Sequence, residues 1–68
     1  MHKKERYVVR VTSIEFAAGL FTWELCHADG LEVIQRSTKS FSTRIEALFD
    51  SAPNAALLAP EAIWQLLI

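Results

Sequence analysis

Cys26 and His27 are the neighbours in this 68-residue chain that most invite a chemical reading, because a thiol beside an imidazole is what a cysteine nucleophile needs. The pair must come within hydrogen-bond reach to work. Neighbours on a strand project to opposite faces, and the stretch around them alternates as a strand does. The expectation is therefore a small, half-buried thiol beside a strand-end histidine. Cys26, His27 and His2 match no recognisable zinc spacing. Glu24, Glu32, Glu46 and Asp50 could serve as acids or bases, yet nothing in their spacing gathers them into one pocket. Glu46 and Asp50 lie one helical turn apart, where two like charges belong on a solvated face. The only glycines, Gly19 and Gly30, sit where turns are expected, which leaves no phosphate-cradling loop. No catalytic residue, cofactor or metal is expected, and the chain does not read as an enzyme.

The cations offer a second kind of chemistry. Arg10, Arg36, Lys39 and Arg44, joined by Lys3, Lys4 and Arg6, could contact phosphates across a sheet face. The plainer expectation is surface charge paired with Glu24 and Glu32. Seven basic and eight acidic residues give a net charge of −1, which disfavours broad electrostatic capture of nucleic acid. One cysteine permits no internal disulfide and suits a reducing, cytoplasmic setting. No apolar run is long enough to span a membrane, and the opening residues do not read as a signal peptide.

The elements that must position these residues read as a single domain over 1–68, of α+β class, without a linker. Three strands are expected at about 6–14, 20–28 and 31–38, forming an antiparallel sheet. Tyr7, Val9 and Val11 share one face of the first, and Phe21, Trp23 and Leu25 one face of the second. Gly19 supplies a tight reversal, and Asp29-Gly30 predicts a two-residue hairpin turn. That turn places Ala28 opposite Leu31, Leu25 opposite Ile34, and Trp23 opposite Arg36. Thr43 with Glu46 forms a capping box for a helix over about 43–52, its apolar stripe being Ile45, Leu48, Phe49 and Ala52. Pro53 is expected to end it. Pro60 is expected to open a short second helix over about 60–67.

That last segment is apolar nearly all round, with only Glu61 and Gln65 clearly polar. Such a helix is usually buried on more than one side. The whole chain is 51% hydrophobic, rich for a size at which only about 60% of the unfolded chain's surface is buried. Domains this small commonly rely on disulfides, metals or partners, and association is the route left open. Trp23 is expected in the core. Trp64 fits either the core or a subunit interface, and Ile63, Trp64, Leu67 and Ile68 are the candidate interface residues.

Two family patterns bear on this. Trp23-x-Leu25, Asp29-Gly30, Val33-Ile34, Ser37, Phe41-Ser42-Thr43 and Glu46-Ala47 resemble the YegP-like family of small uncharacterised bacterial domains, over roughly residues 20 to 52. The resemblance implies a sheet-plus-helix domain that forms dimers or tandem repeats, with no established activity. Here the spacing after the glycine departs by about a residue, and the proline-broken carboxyl-terminal part lies outside the pattern. Trp23, Asp29, Gly30, Phe41, Thr43, Glu46 and Ala47 also look like the amino-terminal three-stranded domains of phage-type integrases, which insert a sheet into the DNA major groove. The basic, polar face that such a module needs is poorly represented. The leading expectation is a non-enzymatic interaction domain that self-associates as a homodimer. The alternative is a DNA-binding module that uses the sheet face.

Overall fold

Alternating branched and aromatic residues build the first two strands, and the computed structural model, which describes residues 5–67, shows them paired along their whole length. β1 (Arg6–Ser13) and β2 (Phe21–His27) run antiparallel, with Val9 opposite Leu25 and Val11 opposite Trp23. The reversal between them places Gly19 at φ +84°, the left-handed conformation that glycine adopts without strain. β3 (Val33–Arg36), α1 (Arg44–Leu58) and β4 (Ile63–Leu67) complete the chain. The strand order is β3-β2-β1-β4, with β4 parallel to β1.

This corrects the expected three-stranded antiparallel sheet with two helices. The sheet has four strands and is mixed, and one helix packs on it. The segment expected as a helix over about 60–67 is instead a strand. Its apolar run suits a buried helix or a buried strand equally, and length and partners arbitrate between them. Five residues are too few for a stable helix alone. Ile63 and Trp64 are strand formers, and the free side of β1 supplies a ladder.

Pro53 does not end the first helix, which continues to Leu58. A helical proline cannot donate to the carbonyl four residues back and crowds it. Side chains repair the turns around it: Ser51 donates to the Leu48 carbonyl at 2.6 Å, and Asn54 to the Asp50 carbonyl at 3.0 Å. Thr43 caps the start as expected, accepting from the Glu46 N–H at 3.1 Å.

The β2–β3 hairpin keeps its expected register beside the turn and loses it beyond. Cys26 faces Val33, and the His27 N–H donates to the Glu32 carbonyl at 3.0 Å. The residues at positive φ are Gly30 and Leu31, so the loop is longer than a two-residue turn. Ile34 is then the extra residue of a bulge. Leu25 faces Gln35, Arg36 faces Glu24 instead of Trp23, and Ile34 is left exposed. The slip sets a cation opposite an anion rather than opposite the core tryptophan.

α1 covers one face of the sheet. Val9, Val11, Trp23 and Leu25 meet Ala47 and Ala55 in the core, with Phe21, Phe41, Leu48 and Trp64 packed around them. The Trp23 indole N–H donates to Asp50 at 2.9 Å, which satisfies the buried ring and pins α1 to β2. No helix covers the opposite face among the described residues. Val8 and Cys26 are nevertheless buried there, between Gln65 and Val33 on the flanking strands.

Candidate interaction surface

β4 carries apolar side chains on both sides of the sheet. Trp64 and Leu66 share the helix-side face with Tyr7 and Val9, their partners in register. Ile63, Gln65 and Leu67 project to the uncovered face. Trp64 is half-buried and held within its own subunit. Its ring stacks on Tyr7 at 5.0 Å between centroids, and its N–H donates to the Ala59 carbonyl at 3.2 Å. Tyr7 in turn lies 5.2 Å from the His27 ring and donates its hydroxyl to Glu5. The remaining strand residues are not enclosed: Ile63 is 47% exposed, Leu66 52% and Leu67 39%. Ile68 lies outside the described residues, as do His2, Lys3 and Lys4.

Between α1 and β4 runs an apolar groove of about 400 Å³. α1 packs on β1 and β2 and stops short of β4, so Leu66 forms the groove floor and Phe49 one wall. Small residues, Ala52 and Ala56, keep that wall low. Ser51 is the one polar residue in the lining, and its hydroxyl is already spent on the helix backbone. Ligand pockets of this size orient their occupants with a few convergent polar groups. A groove without free ones suits apolar side chains from a partner. Phe49 is 73% exposed and Ile45 64%, so an apolar helix stripe continues the surface. The fifteen-residue length of α1 was hidden in the sequence by Pro53, and with it the Ala56 end of this wall, whereas Phe49 and Ala52 fall on the expected helix stripe. For β4 the sequence signal that favours a strand is the β-propensity of Ile63 and Trp64, which does not by itself decide against a helix.

Among the described residues the cations do not form a basic face. Arg10 reaches one oxygen of Glu24 at 2.6 and 3.0 Å, and Arg36 reaches the other at 2.8 Å. Burial alone would push the Glu24 carboxyl up, but the two guanidiniums outweigh it and hold it below the ordinary glutamate range. Lys39 lies in the β3–α1 connection. Arg44 opens α1, its guanidinium 4.7 Å above the Phe21 ring.

Cys26 and His27 face apart. The thiol is fully buried, and that burial pushes its titration up, the opposite of an activated nucleophile. His27 is exposed beside Tyr7. Among the described residues no three His, Cys, Asp or Glu side chains gather closely enough to hold a metal, and no helix is long and apolar enough to cross a membrane.

Comparison with protein-family models, curated proteins and solved structures finds no match for this chain. What can be said of its role rests on its own residues.

Proposed function

We propose that the chain is a non-enzymatic interaction domain that self-associates as a homodimer and works in the cytoplasm. One observation carries this reading: an uncharged apolar strand at the sheet edge, its outer side unpaired among the described residues and continuous with an apolar groove and helix stripe. Contiguous apolar surface of this kind marks a contact site on small proteins. The YegP-like resemblance, with its implied pairing of domains, agrees with this. Integrase-like DNA binding is the weaker alternative. The sheet has a face that no helix covers among the described residues, but Arg10 and Arg36 on that face are committed to Glu24.

Sedimentation equilibrium at micromolar concentration tests the proposal. A mass near twice the 7.7 kDa chain is expected. A monomer across that range overturns it, and retardation of duplex DNA that weakens steeply with salt would favour the alternative.

A further inference from the structure

The two edges of this sheet are treated differently. β3 is protected in the usual ways: it is four residues long, interrupted by a bulge, and ends in Arg36. β4 is one residue longer and lacks the bulge and the charge. Ile63-Trp64-Gln65-Leu66-Leu67 contains no charge, no proline and no bulge. An unguarded apolar edge is a template for another strand.

Backbone geometry restricts which strand can add and how. The Ile63 N–H donates to the Glu5 carbonyl at 3.1 Å. In a parallel ladder the same residue also accepts from β1, and the direction alternates along the chain. Ile63, Gln65 and Leu67 therefore spend their backbone groups on β1. Trp64 and Leu66 point theirs to the open edge.

We infer that β4 pairs antiparallel with β4 of a second copy about a two-fold axis at Gln65, joining two sheets into one of eight strands. This rests on the homodimer reading and specifies its interface. A two-fold axis through an edge strand allows only antiparallel self-pairing. Centred on Gln65, Trp64 meets Leu66 of the partner subunit, so the backbone groups that face outward meet their like and four hydrogen bonds close. Ile63 meets the partner's Leu67, and Gln65 meets the partner's Gln65. Every apolar residue then has an apolar neighbour, and the one polar residue pairs with itself. A register shifted by one residue sets outward-facing groups against committed ones. A shift by two leaves strand residues unmatched. The strand's neutrality selects a second copy over a charged peptide, since self-pairing opposes no like charges. On the helix side, the partner's Leu66 and Trp64 extend the apolar floor beside the Phe49 wall.

The test exploits the self-contact of Gln65, an exposed side chain on the face opposite the Val9, Trp23 and Leu25 core. Gln65→Lys alone and Gln65→Glu alone place like charges across the axis and weaken the dimer several-fold at low salt. Mixing the two variants in equal amounts restores it as a heterodimer, read by native mass spectrometry. Gln65→Cys forms a disulfide-linked dimer under mild oxidation, because the residue sits in a closely spaced non-hydrogen-bonded pair. The buried Cys26 remains unreacted. A dimeric wild type whose Lys and Glu variants mix only statistically, and whose Gln65→Cys variant gives no link, overturns this register while leaving the homodimer reading intact. A wild-type monomer overturns both.

Discussion

Glu24 does more for this sheet than its charge alone suggests. It lies in β2 between Arg10 on β1 and Arg36 on β3, giving one carboxylate oxygen to each and tying three strands on the face that lacks a helix. The Glu24 side chain is 16% exposed and Arg10's 30%, so that pair is better shielded than ordinary surface pairs, which contribute about 0–1 kcal/mol, whereas Arg36, 70% exposed, adds a weaker, solvent-screened contact. The sign of its pH dependence follows from the lowered carboxyl. The stabilisation is complete above the ordinary glutamate value of 4.5 and is lost as pH falls through the lower folded value. Glu24→Gln is expected to cost about 1 kcal/mol at neutral pH and to flatten the acid limb of a urea-unfolding series. Parallel acid limbs in the two proteins would show that Glu24 does not carry the effect. The sequence allowed for arginines paired with Glu24 and for a buried Trp23, because charge complementarity and ring size are local properties. The fork onto both oxygens was not legible, since it depends on a bulge at Ile34 that no residue type announces.

Elements were legible where local signals agreed and failed where they competed. The alternation of β1 and β2 and the Thr43–Glu46 cap were plain. Pro53 and the apolar tail were not, because each set a local rule against tertiary packing. A proline inside a helix costs about 3 kcal/mol in an exposed host. Here Ala47, Ser51 and Ala55 are buried against the sheet on both sides of it, so packing holds α1 together across the break. Pro53→Ala restores a donor for the Phe49 carbonyl and removes the ring's crowding, and it also gives the unfolded chain more freedom, a loss of about 0.4–1 kcal/mol. The first effects are larger. The variant is expected to gain about 1 kcal/mol, measured as a higher urea midpoint with unchanged slope. A lower midpoint would mean that the helix has already adjusted to the ring. For β4 the contest was between a terminal helix with no partner and a ladder on β1. Parallel pairing brings together residues more than fifty positions apart, a contact that period and propensity cannot reveal.

At the scale of the molecule, one helix lies on a four-stranded sheet and leaves β4, the groove and the stripe from Ile45 to Phe49 uncovered. If a second copy covers that surface, folding and assembly are coupled, and apparent stability follows protein concentration by mass action. A tenfold rise in concentration adds about 1.4 kcal/mol per dimer, hence about 0.7 kcal/mol per chain. For a domain of this size, 1 kcal/mol moves the unfolding temperature by about 4–8 °C. The melting temperature is therefore expected to climb by about 3–6 °C for each tenfold increase from the low micromolar range, wherever the native state is dimeric at the transition, since unfolding releases two chains. Leu66→Lys supplies the control. It sets a charge on the groove floor, where Leu66 is half exposed, and leaves the Val9, Trp23 and Leu25 core intact. Its melting temperature is expected to be lower than wild type and independent of concentration. A wild-type melting temperature that does not move across two decades of concentration would mean that a lone subunit carries all of its own stability, and that the bare edge of β4 awaits a different occupant.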